Sequence, residues 1–370
     1  MIKEFSVEGF KNFRDKFTIN FSDVRDYRFN SECVVDGLLN TVVIYGKNAV
    51  GKTNFGLALF DVVSHLTMNN VTPGLYDYFL NVESNHVYAE FAYTFKFDSD
   101  EVVYKYHKIE ASNLLMEQLL LNGEEMFRGE SIHKNGEVKL YHSKLMELAP
   151  NFNWEHKVDG SFIKYFLFNS PLGADHPFSK MLRFINRMLW FRSLDENRYI
   201  GYKENASDYL SFIFEKSEYV DEFNQLLKQA NIDESVVAKK DVDGKMRLYF
   251  DTKSPMPFFR VASNGTKALY NFFYWHKTSS DVSFMYIDEF DAFYHYELSE
   301  AIVNILGKMD GFQKILTSHN TGLLSNRIMR PDCYFILTKD KITSIANATE
   351  RELREGHNLE KLYVNGEFNG

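Results

Sequence analysis

Four short stretches hold residue types whose spacing could manage a phosphate group. Gly46-Lys47-Asn48-Ala49-Val50-Gly51-Lys52-Thr53 fits the pattern GxxxxGK[ST] and runs on into Asn54. Glycines at those positions allow a tight loop whose amides turn inward. Lys52 adds positive charge, Thr53 offers a hydroxyl to Mg²⁺, and a helix beginning there would present its favourable dipole to an anion. The stretch predicts an ATP site lined by Gly46, Asn48, Gly51, Lys52, Thr53 and Asn54, with Mg²⁺ on Thr53. Further along, Ser283–Glu289 is an apolar run ending in two acids. Asp288 at its end would complete the ion site with Thr53. Glu289 would orient and activate an attacking water. Taken alone, such an end reads equally well as a solvated cap, and the phosphate loop is what gives it a catalytic meaning.

Ser263-Asn264-Gly265-Thr266 opens a helical run. It is either a helix cap by Ser263 or Asn264, or a second anion site made of a serine hydroxyl and the Gly265 amide. His319, in Thr317-Ser318-His319-Asn320, follows a strand-like segment, where ligands of open α/β sheets collect. From there an imidazole could touch a terminal phosphate and take part in the chemistry beside Glu289 and Lys52.

These residues need elements to hold them. Asn40–Tyr45 is short, β-branched and almost wholly apolar, the pattern of a strand buried on both faces, and it leads straight into Gly46. After Thr53, Phe55, Leu59, Val62, Val63 and Leu66 recur at helical spacing. Phe5–Phe13 and Phe17–Phe21 predict a hairpin. Tyr88–Phe97, Val102–Ile109 and Leu119–Phe127, the last with Asn122-Gly123 at its turn, predict an antiparallel layer. Between about 140 and 235 the pattern is helical, with Met181-Leu182, Phe184-Ile185 and Met188-Leu189 on one face. Two more helices are predicted from Tyr209 to Leu227, and a β-pair around Asp243-Gly244. Helices from Gly265 and Leu298 then alternate with strands at Phe284–Ile287, Lys314–Thr317 and Cys333–Leu337, ending in a small β-tail. The fold class expected is α/β: a mixed central sheet, an antiparallel β-layer and an inserted mainly helical lobe. Its parts would be a first ATPase lobe at 1–135, the insertion at 136–255, and a closing segment at 256–370.

Composition narrows the function classes. The 370 residues are 45% hydrophobic and 25% charged, ordinary for a globular chain, and 34 Phe and 22 Tyr suit core filling and strand faces. No run approaches about 18 apolar residues, so no membrane span is expected. Two cysteines and no CxxC argue against a disulfide framework or zinc, and the start lacks a secretory signal, so a cytoplasmic location is expected. A net charge of −9 argues against whole-surface DNA binding while leaving room for a local basic groove. Arg183, Arg187, Arg192 and Arg198 could form one, or a solvated face beside Asp195 and Glu196.

In this order, and with Val7-Glu8-Gly9-Phe10-Lys11-Asn12-Phe13 at the start, the motifs resemble the ABC/SMC/RecF class of P-loop ATPases. Asp288-Glu289-Phe290-Asp291 with His295, Arg330-Pro331-Asp332-Cys333 and the tail Tyr363-Val364-Asn365-Gly366-Glu367-Phe368 are similar to the AAA15/AAA21 ATPases related to OLD and RloA-like proteins. Asn264 and Pro331 depart from that pattern. A Q-loop glutamine is not evident: Gln118 falls on a predicted hairpin, and the region of Asn81 is an equal alternative. The resemblance implies head-to-tail composite sites in which Ser263 and Gly265 contact ATP on a second copy, giving an ATP-dependent homo-oligomer. It also implies a separately encoded, nuclease-like effector, as in anti-phage systems of the PARIS type. A RecF-like ATPase binding DNA directly is the alternative. An OLD-type nuclease within this chain is not expected, because the residues after His319 carry no acidic cluster ending in Asp-x-Asp.

Overall fold

The computed structural model describes residues 1–72, 74–132, 137–154, 160–193, 199–202, 208–278, 281–309 and 311–368. Its centre is an eight-stranded sheet. Five strands run parallel in the order Tyr334–Leu337, Thr41–Tyr45, Gln313–Ser318, Phe284–Asp288 and Met188–Arg192. Ile342–Ser344 closes one edge antiparallel, and Tyr199–Gly201 and Asn70–Val71 close the other. Every residue of Thr41–Tyr45, Phe284–Asp288 and Gln313–Ser318 is buried, as expected for parallel strands covered on both faces. The carboxyl ends of these strands share one edge of the sheet, and that edge carries the chemistry.

A seven-stranded antiparallel sheet forms the second layer, in the order Glu137–Ser143, Glu124–Ile132, Asn113–Leu121, Asp100–Glu110, Ala89–Phe97, Ile2–Glu8 and Phe17–Asn20. The Asn122-Gly123 turn has φ of 51° and 82°, the paired left-handed geometry that a two-residue hairpin needs. Between the two sheets lies helix Lys52–Leu66, buried on nearly all sides. Phe60 packs on Phe284 of the central sheet with ring centroids 6.0 Å apart, and Phe55 on Phe5 of the second layer at 5.8 Å. Burial all round explains why the helix is apolar beyond one stripe. Where it crosses the sheet most closely, any Cβ on Gly56 would run into the rings of Tyr286 and Trp190.

Charge is buried in this middle layer too. Lys108 Nζ lies 2.7 Å from Asp61 Oδ2, and Tyr106 donates to the same oxygen at 2.9 Å. Deeper along the helix, Glu117 accepts from Tyr104 at 2.5 Å and from the Phe162 amide at 2.8 Å, and also takes the Ser161 hydroxyl. These bonds fasten the start of helix Phe162–Asn169 to the β-layer.

The expected α/β architecture is present, with three local corrections. Met188-Leu189 are not on the helix: Pro177–Asn186 ends, and Met188–Arg192 becomes the outermost parallel strand. A short apolar run is ambiguous between helix and strand, and here pairing with strands on both sides decides it. Residues 136–255 therefore include part of the central sheet as well as helices. Second, only Tyr219–Gln229 forms an α-helix in the 209–229 region, preceded by a single 3₁₀ turn at Phe212–Phe214. Third, the tail is not all β: after Ile342–Ser344 it ends in helix Leu359–Val364, where Asn358 caps the Lys361 amide and Leu359 is buried. Among the described residues, no helix is long and apolar enough to cross a membrane.

Candidate active site

Tyr45 ends its strand and the chain turns through the Gly46–Thr53 loop into the helix that begins at Lys52. Ala49 and Gly51 have φ of 63° and 106°. Gly51 is confined further, since a Cβ there would collide with the side-chain amide of Asn12. Asn12 donates to Val50 O at 3.0 Å and accepts from Asn54 at 2.7 Å, bracing the loop from outside. Gly51 is also the helix N-cap and offers no side chain, so the first amides of the helix have no side-chain acceptor. Uncapped helix amides around a glycine turn suit a phosphate.

Lys52 is buried and its ammonium folds back on the loop, donating to Gly46 O at 2.8 Å and Lys47 O at 3.3 Å. The same ammonium meets His319 Nε2 at 2.8 Å. Burial pushes the Lys52 amine below its ordinary value, against the pull of Glu289, Asp288 and Asp291. Desolvation and the neighbouring Lys52 cation both hold the His319 imidazole below its usual range, so the ring faces Lys52 as a neutral acceptor. An anion placed in the loop would compete with His319 and the backbone carbonyls for that ammonium.

Asp288 is completely buried. Its carboxylate accepts from Thr53 Oγ1 at 2.7 Å and from Thr317 Oγ1 at 2.9 Å. Burial raises its pKa, and the two hydroxyls and Arg192 pull the other way. Glu289 follows with φ of 50°, a left-handed backbone held by its amide's 2.7 Å bond to Thr317 Oγ1. That twist separates the two acids, one turned inward to Thr53 and the other toward Arg192 at 2.9 Å. Among the described residues no group of three or more His, Cys, Asp or Glu could hold a metal alone. One carboxylate with one hydroxyl fits Mg²⁺, which takes its remaining ligands from phosphate and water.

A family model described as "AAA domain, putative AbiEii toxin, Type IV TA system" matches residues 42–325, well over half the chain. The chain belongs to that family. No curated protein matches it. Among solved structures, this AAA domain is similar to an SMC head bound to the C-winged helix domain of ScpA, at 15% identity and a TM-score of 0.45 over 93% of this chain and 97% of that one. The SMC head domain from Thermotoga maritima gives 14% and 0.43, covering 93% and 98%. A Smc head with an extended coiled coil, bound to the C-terminal domain of ScpA derived from Pyrococcus furiosus, gives 13% and 0.44, covering 93% and 96%.

Within the AAA domain, Gly46, Gly51, Lys52, Thr53, Asn54, Asp288, Glu289 and His319 gather at one sheet edge, and Asn48 is exposed on the loop's rim. Ser263 and Gly265 are not bonded to them. Ser263 caps helix Asn264–Lys277, accepting from the Thr266 amide at 3.1 Å. It is exposed nonetheless, on the rim of a cavity of about 570 Å³ shared with Gly265, Phe293 and His295. Gln118 bonds Glu125 within the β-layer, and Asn81 donates to Lys11 O at 2.6 Å, so neither meets the acids. Beside the acidic strand lies instead Ser193, just past Met188–Arg192, whose amide donates to Asp288 O at 3.1 Å.

Four contributors escaped the sequence reading as site residues. Asn12 was visible only as part of an opening strand, Thr317 only as the residue two before His319, and Arg192 only as one of several arginines. None has a spacing signal of its own. Asp291 joins them, accepting from Ser318 at 2.5 Å, with burial raising its pKa.

Proposed function

We propose that this chain hydrolyses ATP and uses ATP-dependent closure of two copies as a switch. The observation that carries the reading is the single edge where Lys52, Thr53, Asp288, Glu289 and His319 converge. Bound Mg-ATP would supply the phosphoanhydride whose terminal phosphoryl group passes to water. Lys52 and the uncapped helix amides bind and orient the anion. Thr53 and Asp288, joined by a 2.7 Å hydrogen bond, would hold the ion. Glu289, its backbone held by Thr317, would position the water and take its proton, and His319, beside Lys52, would contact the terminal phosphate. Ser263, exposed and bonded to none of these residues, would meet nucleotide on a second copy together with the half-buried Gly265.

The wider role proposed is that of a cytoplasmic sensor in phage defence, restraining or releasing a separate nuclease-like effector. The motif resemblance supports it. Direct DNA binding is less well supported. Arg192 is turned to Glu289, Arg187 lies 3.5 Å from Asp281, and Arg183 donates to Ala174 O at 2.8 Å. Arg198, Asp195 and Glu196 lie outside the described residues.

The test is a pull-down of tagged Glu289→Gln protein from its host in Mg-ATP, with Lys52→Ala as the nucleotide-free control. Glu289→Gln should bind ATP without turning it over and retain a stoichiometric protein partner, which Lys52→Ala loses. Wild-type hydrolysis by Glu289→Gln would overturn the assignment of the base. Salt-sensitive DNA in place of a protein would favour the DNA-binding role.

A further inference from the structure

The carboxylate that should face water instead faces a cation. Arg192 ends the strand that pairs in parallel with the acidic strand, in register with Asp288. Its Nη2 is 2.9 Å from Glu289 Oε2 and its Nε 3.5 Å from Asp288 Oδ2. The backbones on both sides are fixed. Ser193 N–H is bonded to Asp288 O at 3.1 Å, and Glu289 N–H to Thr317 Oγ1 at 2.7 Å. Only the two side chains are left to rearrange. Both are partly exposed, at 28% for Arg192 and 20% for Glu289, so the pair is exchangeable rather than locked.

Two consequences follow from charge alone. Adjacent carboxylates repel, and a guanidinium in reach of both offsets part of that repulsion. A Glu289 oxygen that accepts from a guanidinium is also not free to take a proton from water. A divalent cation at Asp288 would repel Arg192, and a terminal phosphate would offer its planar fork a better acceptor.

We propose that Arg192 is a positioning residue: it clamps Glu289 while the phosphate loop is empty and releases it by moving to the terminal phosphate of the nucleotide. This rests on the ATPase reading above. It assigns Arg192 to discrimination between tri- and diphosphate, and not to a DNA-binding face.

The experiment compares wild type, Arg192→Met and Arg192→Lys as full chains. Calorimetry with Mg²⁺ and either ADP or a non-hydrolysable ATP analogue gives the ratio of the two affinities. Thermal unfolding in Mg²⁺ alone gives a second readout without nucleotide. Arg192→Met should lower the triphosphate-to-diphosphate affinity ratio about tenfold, the loss of one charge-assisted bond. It should also be stabilised by Mg²⁺ alone at concentrations that leave wild type unmoved, because the acids are no longer neutralised. Arg192→Lys, with a charge but no fork, should fall between, and carries the comparison if Arg192→Met does not fold. An unchanged ratio and an unchanged Mg²⁺ response would overturn the clamp. Failure of wild type to bind either nucleotide would instead sink the ATPase reading, and the Mg²⁺ response would still report on the Arg192–acid pair.

Discussion

Asp288 shows how much of this site is set by one side chain held against its own preference. Its carboxylate is fully buried, and burial raises its pKa despite two hydroxyl donors. A carboxyl whose folded pKa lies above its unfolded value costs stability while ionised, and that cost is relieved as pH falls through the folded value. Asp288→Asn removes the charge and keeps an acceptor for Thr53 or Thr317. The nucleotide-free variant should therefore be more stable than wild type at pH 7, by about 1 kcal/mol or more, with the gap closing as pH falls. Its ATP turnover should be lost with its ion site. Denaturant melts at two pH values check this, and a variant less stable than wild type at pH 7 would show that the carboxylate's bonds outweigh its burial.

Helix Lys52–Leu66 joins the phosphate loop to the β-layer. It starts at the loop and ends against the β-layer, where Asp61 and Lys108 form an ion pair with 0% and 1% of their side chains exposed. Burial lowers the Lys108 pKa, and Asp61 is the main force opposing that shift. Asp61→Ala strands the ammonium in an apolar layer and should destabilise the fold by about 3 kcal/mol or more. Adding Lys108→Met should recover most of the loss, because the stranded charge is removed with its partner. Chemical denaturation of the single and double variants measures both effects. An additive double variant would mean that the pair acts through packing alone.

At the scale of the whole molecule, the helix start at Ser263–Gly265, with Ser263 exposed, makes no bond to the chain's own phosphate loop. If a second copy uses it, turnover per chain should rise with protein concentration, and light scattering should find Glu289→Gln dimeric in Mg-ATP. Ser263→Arg should abolish turnover and the dimer while leaving ATP binding by the monomer intact. Some stability will also go, about 1 kcal/mol, since Ser263 caps its helix. Equal loss of ATP binding in Ser263→Arg would show that the serine serves its own chain.

The residues themselves determined the phosphate loop, the acidic strand end and the alternation of the β-layer, because each rests on local spacing: a glycine turn before a helix, an apolar run before two acids, a period of two. Asn122-Gly123 set its hairpin for the same local reason. Tertiary structure alone decided the rest. Met188–Arg192 is a strand because it pairs between Phe284–Asp288 and Tyr199–Gly201, and only that placement brings Arg192 beside Glu289. Asn12 braces Val50, and Thr317 joins Asp288 to the Glu289 amide, through contacts between segments far apart in the chain. Such contacts depend on which strands become neighbours, and strand order is fixed by packing two sheets around one helix, not by the period of any single run.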